Sequence, residues 1–146
     1  MGSKEFMIKS FPGPLVRSSA ETIKLDCKIM YKPAKEPNDL EKYFVERANA
    51  GDVEGLVALY ESEAILSDGA GKIVVGINQI REFFVKFLAD RPMLDQSVQK
   101  EALCSGDLSL TSSKLGNGDI TAEVARRQPD GTWLWVIDQF ALEKYK

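Results

Sequence analysis

Histidine is missing from the chain altogether. Without it there is no Ser-His-Asp or Cys-His catalysis, no histidine metal site and no imidazole proton shuttle. Cysteine is scarce too: Cys27 and Cys104 stand alone, with neither C-x-x-C spacing nor a set of pairs that would make a disulfide framework. Such residues read as reduced thiols of a cytoplasmic protein, and no metal or other cofactor is expected. Long apolar runs are also absent. Nothing approaches the roughly 20 residues of a membrane helix, and residues 7–20 lack the apolar stretch of a signal peptide. Basic clusters are equally sparse. Nineteen lysines and arginines face twenty-two acids, for a net charge of -3, and Arg126-Arg127 is the longest arginine run. A nucleic-acid surface needs clustered cations, so that partner is excluded, as is a membrane.

What is present suits one globular domain. The 146 residues are 44% hydrophobic, enough for a single core. Met1–Phe6 ahead of a second methionine reads as a cloning remnant, which puts the expected native start at Met7. Residues 7–37 carry Pro12, Pro14, Pro33 and Pro37, too many breaks for a long helix, and form an N-terminal arm. Within it Ile23, Leu25, Cys27 and Ile29 alternate as in a short strand over 21–30. Residues 7–30 are expected to lie on the surface and to be dispensable for folding.

The main domain is expected over 38–146. Asn38 with Glu41 three residues on reads as a helix N-cap and capping box, followed by Leu40, Tyr43, Phe44 and Ala48 at helical spacing. Gly51 suits a left-handed C-terminal cap, and Asp52 caps a second helix running through Tyr60. A strand over 64–67, the Gly-rich turn 68–72 and a strand over 73–75 come next. Ile77, Ile80, Phe83, Phe84, Phe87 and Leu88 then share one face of an amphipathic helix. From about Gln96 the period becomes two, with strands expected over 97–104, 107–114, 119–128 and 132–142, separated by Gly-containing turns. Three helices followed by a meander give an α+β fold, helices packed on a curved, mostly antiparallel sheet.

In the last of these strands, strict alternation puts Leu134, Val136 and Phe140 on the face of Asp138, and Trp133, Trp135 and Ile137 on the other. Both faces are apolar, so the strand is expected to be covered on both sides. A carboxylate there must be paired, protonated or solvated, and burial raises its pKa into the range of a general acid or base. The alternative is a structural anchor to Arg126, Arg127 or a tyrosine. Trp133, Trp135 and Ile137 form a patch too apolar to leave in water, which points to a homodimer through the outer sheet face.

Tyr43 to Tyr60 (YFVERANAGDVEGLVALY), Glu63 to Asp68 (EAILSD) and Gly76 to Phe84 (GINQIREFF) resemble the nuclear transport factor 2-like superfamily. The ending Ala125 to Trp133 (ARRQPDGTW) with Val136 to Asp138 is similar to its branch of SnoaL-like cyclases and ketosteroid isomerase-like proteins. The likeness covers about residues 38–141. It implies a cone-shaped fold around an apolar pocket, expected to be lined by Phe44, Tyr60, Phe84, Val136 and Phe140, and usually a homodimer. By the same likeness Asp68 falls at the place of the general base, although Gly69 stands where a proline is usual, and Asp68-Gly69 is also a favoured turn pair. Glu123 falls where ketosteroid isomerase holds a protonated acid; it either faces the pocket or solvates the sheet. The tyrosine expected on the first helix is Phe44 here. Tyr43, one residue or about 100° away, does not substitute, which speaks against ketosteroid isomerisation itself.

These readings converge on a small apolar molecule in an acidic pocket. Asp138 and Asp68 would carry protons and Glu123 would position the substrate, in cofactor-independent isomerisation or cyclisation. The rival is a non-catalytic dimeric binding or scaffold domain.

Overall fold

The computed structural model describes residues 31–141. The strand expected over 21–30, Cys27 and the placement of the arm over 7–30 lie outside them. From Lys32 onward the chain forms one compact unit. Packing starts ahead of Asn38: Ala34 is buried, and its carbonyl accepts from the Trp133 N–H at 2.9 Å.

Helix α1 spans Asp39–Asn49 and buries Leu40, Glu41, Phe44, Val45 and Ala48. Its start differs from the expected capping box. Asn38 already has helical angles, and its amide donates instead to Gln99 Oε1 (2.8 Å) and the Lys100 carbonyl (3.0 Å). Glu41 is turned inward. The end is as expected: Gly51 takes φ 69°, with Gly51 N–H donating to Ala48 O and Asp52 N–H to Arg47 O, a paired closure that satisfies the last carbonyls. Asp52 caps helix α2, Val53–Val57, by accepting from Gly55 N–H at 2.9 Å. A Cβ at Gly55 would lie 2.5 Å from that carboxylate, so glycine lets the cap close.

Helix α2 stops short of Tyr60, which begins strand β1 (Tyr60–Ser67). Tertiary pairing overrides the helical pattern here, because Leu59 O already accepts from Trp135 N–H at 2.8 Å. Strand β2 (Ile73–Val75) leads into helix α3 (Ile77–Ala89), which buries Ile80, Phe84 and Leu88. The strand expected over 97–104 is two short ones, β3 (Val98–Gln99) and β4 (Leu103–Ser105). β5 (Leu108–Lys114), β6 (Ile120–Arg127) and β7 (Trp133–Gln139) complete a seven-stranded sheet of order β2-β1-β7-β6-β5-β3, with β4 also on β5. Among the described residues only the β1–β7 pairing is parallel.

The alternation along β5 and β6 runs against the hydrophobic rule. Ser109, Thr111, Ser113, Thr121, Glu123 and Ala125 are buried, whereas Leu108, Leu110 and Ile120 are exposed. On the outer face the cross-strand register aligns Val75, Ile65, Ile137, Val124, Leu110 and Leu103 in one apolar row across the sheet.

Strict alternation fails in β7. Ala125 pairs with Trp135 but Val124 pairs with Ile137, so Val136 is an extra residue in a β-bulge. The bulge puts Trp133, Trp135 and Asp138 together on the buried side and leaves Leu134 half-buried and Ile137 exposed. The two tryptophans are therefore core residues, 6% and 1% exposed, and form no part of an outer patch.

Candidate functional site

The register of the sheet assembles a line of polar groups on its inner face. Thr111 of β5 pairs with Glu123 of β6, which pairs with Asp138 of β7, which pairs with Leu66 of β1. Thr111 Oγ1 donates to Glu123 Oε2 at 2.9 Å, and the Tyr60 hydroxyl donates to Asp138 Oδ2 at 2.5 Å. From α1, Glu41 reaches the same interior, where its Oε1 accepts from Ser97 Oγ at 3.0 Å. All three carboxyl groups are buried. Among the described residues no lysine or arginine pairs with any of them; Arg81, Arg126 and Arg127 are engaged by Glu54, Glu61 and Asp107 at the surface.

Three acids without a counter-ion do not ionise together. Burial pushes Glu41 up to about 7, with the Glu123 charge adding to it and the Ser97 hydrogen bond opposing. Burial is also the main cause that raises Asp138 well above its ordinary range; the charges of Glu123 and Glu41 add, and the Tyr60 hydrogen bond opposes. Glu123 is raised by burial, against the hydroxyls of Thr121 and Thr111. Thr121 lies near enough to favour the anion, although its hydroxyl makes no hydrogen bond of acceptable geometry. Repulsion among the three is mutual, so the first to ionise holds the protons on the others. Glu123, where two threonine hydroxyls oppose the rise, is the group whose surroundings favour the anion, whereas Asp138 is raised well above its ordinary range. Tyr60, buried beside Asp138, is held protonated.

Joined to these acids through Tyr60 is an aromatic wall. Phe44, Phe83, Phe84, Phe87 and Phe140 contact one another with ring centroids 5.2–6.2 Å apart, and Trp135 bridges Phe44 (5.9 Å) and Tyr60 (5.3 Å). Edge-on pairs of this kind add about 0.5–1.5 kcal/mol each beyond their buried area.

Of the sequence-predicted residues, Asp138, Glu123, Tyr60, Phe44, Phe84 and Phe140 meet here. Val136 sits at the bulge, half-buried. Asp68 closes its own turn, where its Oδ1 accepts from Ala70 N–H (2.9 Å) and Lys72 N–H (3.0 Å). The partner of Asp138 is a tyrosine and not an arginine. Tyr43 lies off the site, its ring under Arg47 at 5.1 Å. Glu41 was hidden by its reading as a capping residue. The signal for it is helical: Phe44, Val45 and Ala48, at i+3, i+4 and i+7, make its face of α1 apolar. Among the described residues no His, Cys, Asp and Glu side chains group as a metal ion requires, and no helix is long and apolar enough to cross a membrane.

A curved sheet with its first long strand parallel to its last, and helices against the inner face, defines a cone of the nuclear transport factor 2-like superfamily. Residues 40–145 match the SnoaL-like domain, and the chain belongs to that family. No curated protein sequence matches it. Solved structures share the fold at low identity. A nuclear transport factor 2-like protein of unknown function from Shewanella oneidensis superposes with TM-score 0.59 at 19% identity, covering 71% of this chain and 98% of that one. A ketosteroid isomerase-like protein from Erwinia carotovora atroseptica gives 0.55 at 15%, covering 70% and 89%. A cystatin-like protein of unknown function from Nostoc punctiforme gives 0.55 at 19%, covering 69% and 84%.

Proposed function

We propose that this SnoaL-like protein binds a small, largely apolar molecule in its interior and moves a proton on it without a cofactor, as in isomerisation or cyclisation. The observation that carries this reading is the buried line Thr111–Glu123–Asp138–Tyr60, in which neighbouring acids hold their protons with unequal strength. Unequal neighbours are what acid–base catalysis needs: one group accepts while the other donates. Glu123, ionised first, takes a proton from a carbon next to a carbonyl. Asp138, kept protonated beside Tyr60, donates a hydrogen bond to the oxygen on which charge develops and keeps its proton, and the proton on Glu123 returns to a different carbon or to the same one. The aromatic wall holds the apolar body and excludes water. Asp68, engaged by its own turn, is left to shape the loop.

Hydrogen–deuterium exchange tests this. Apolar ketones from single-ring to steroid size, incubated with the protein in D2O, are followed by NMR for deuterium at the carbon beside the carbonyl. Exchange above buffer that disappears in Asp138→Asn, with a nearly unchanged melt, supports the proposal. Asn preserves an acceptor for Tyr60, and no cation among the described residues is stranded. If no ketone exchanges and Asp138→Asn mainly destabilises, the scaffold reading replaces it.

The outer row through Val75, Ile65, Ile137, Val124, Leu110 and Leu103 favours a second copy of the chain as its cover. A flat apolar row spanning the sheet is self-complementary under a two-fold axis, the commonest symmetry of homodimers. It takes over the role expected of Trp133 and Trp135.

A further inference from the structure

Trp135 carries a polar atom that the folded chain does not use. Its indole N–H is buried, in a residue 1% exposed, and finds no partner among the described residues. A buried donor left unpaired costs about 1–3 kcal/mol, which makes an orphan of this kind worth explaining. A purely packing role would be served as well by phenylalanine, since the ring already lies against Phe44 and Tyr60. Two strands away in the same cross-strand row is a second orphan. Ser109 pairs with Ala125, Ala125 with Trp135, and Trp135 with Tyr60. The Ser109 hydroxyl is buried, in a residue 2% exposed, and also unpartnered. Only the methyl group of Ala125 lies between the two in that row. The adjacent row is the one with Thr111, Glu123 and Asp138. The inner face thus presents two unused donors beside the acids, with a small residue between them.

From this we infer that Trp135 Nε1–H, assisted by Ser109 Oγ–H, binds an acceptor oxygen of the ligand, and that the ligand is an uncharged carbonyl compound with an apolar body. The inference rests on the small-molecule reading above and adds to it the residues that hold the ligand's oxygen. An indole N–H donates and cannot accept, so it favours an acceptor such as a carbonyl oxygen over an ammonium. The uncompensated acids beside it repel a carboxylate or phosphate. A site built to hydrogen-bond an oxygen rejects the analogue that lacks it, because its donors are then left unpaired.

The chain has two tryptophans, so its nitrogen–proton correlation spectrum holds two indole peaks, and Trp135→Phe identifies which belongs to Trp135. The probes are 2-acetonaphthone and 2-isopropenylnaphthalene, which differ by C=O against C=CH2. The expected result is a downfield displacement of the Trp135 peak by the ketone and none by the alkene. Replacing Trp135 by 3-benzothienylalanine, which keeps the shape and removes the N–H, should weaken the ketone at least tenfold, leave the alkene unchanged and not lower the melting temperature. Equal displacement by both probes, or ketone binding that leaves the Trp135 peak in place, overturns the inference while leaving a ligand-binding interior. If neither probe raises the melting temperature or moves any peak, the inference falls together with the reading beneath it.

Discussion

The two faces of one sheet obey opposite rules. Along β5 the buried residues are Ser109, Thr111 and Ser113 and the exposed ones Leu108 and Leu110; along β6, Thr121 and Glu123 face in while Ile120 faces out. A half-covered antiparallel sheet ordinarily buries its apolar side. Reversal on the inner face puts hydroxyls and a carboxyl group in the interior at a cost in stability. Reversal on the outer face leaves a row that water does not favour. Beside it, β1 and β7 bury Leu66, Trp133 and Trp135, although Ile65 and Ile137 stay on the outer face and Asp138 lies inside. Apolar packing is thus concentrated on the β1–β7 side and buried polar groups on the β5–β6 side, and the two meet at Asp138 and Tyr60.

The largest expected effect breaks the inner face chemically. Glu123→Gln keeps the shape and removes the base, so deuterium exchange into a bound ketone should fall by about 10²–10⁴-fold. Next comes pH. Glu41 ionises near 4.5 when unfolded and at about 7 when folded. Between those values the folded state holds more protons, so the stability that is complete below 4.5 is lost as pH rises through 7. At about 1.4 kcal/mol per pH unit the loss from Glu41 alone is about 3 kcal/mol. Melts between pH 4 and 8 should show the decline, and Glu41→Gln should flatten it; a melting temperature that climbs over this window contradicts the burial of the acid. A smaller effect concerns the orphan hydroxyl of Ser113, 1% exposed. Ser113→Ala removes an unpaired buried polar group and should stabilise by about 1 kcal/mol in urea unfolding; a clear destabilisation would show that the hydroxyl has a partner. Least on the stability of each subunit, within about 0.5 kcal/mol, is Ile137→Lys on the outer row. Light scattering should show it halving the mass from twice 16.2 kDa; a parent protein already at 16.2 kDa refutes the dimer.

Much of the fold was legible because its signals are local. The Gly51 closure, the Asp52 cap, the apolar face of α3 and the turns of the meander each follow from a few neighbouring residues. The site was legible only in part. Asp138 stood out as an acid in an apolar strand, although the neighbours assigned to its face were wrong beyond the bulge. Tyr60 suited a helical stripe until pairing with β7 drew it into the sheet. Glu123 could not be oriented from alternation alone, because a period of two allows either face, and hydrophobicity would have chosen the wrong one. Glu41 looked like a cap because an acid three residues after an asparagine is a common helix start. Each miss involves a long-range partner, whether Ser97, Trp135 or Ile137, that no local window contains.

The extra residue at Val136 works as a phase shifter. In a regular strand two inward side chains are separated by an even count, yet Trp135 and Asp138 lie three apart and both face in. If the strand were straightened at full length, Asp138 would exchange places with Ile137, sealing the interior with a hydrocarbon and putting the acid in water. If Val136 were deleted instead, ordinary alternation would carry the same tryptophan and the same acid inward. Chain length and strand geometry are therefore interchangeable at this point. An odd interval between a buried aromatic and a buried acid is then a fingerprint, readable in any strand of this kind, of a kink that no composition would betray.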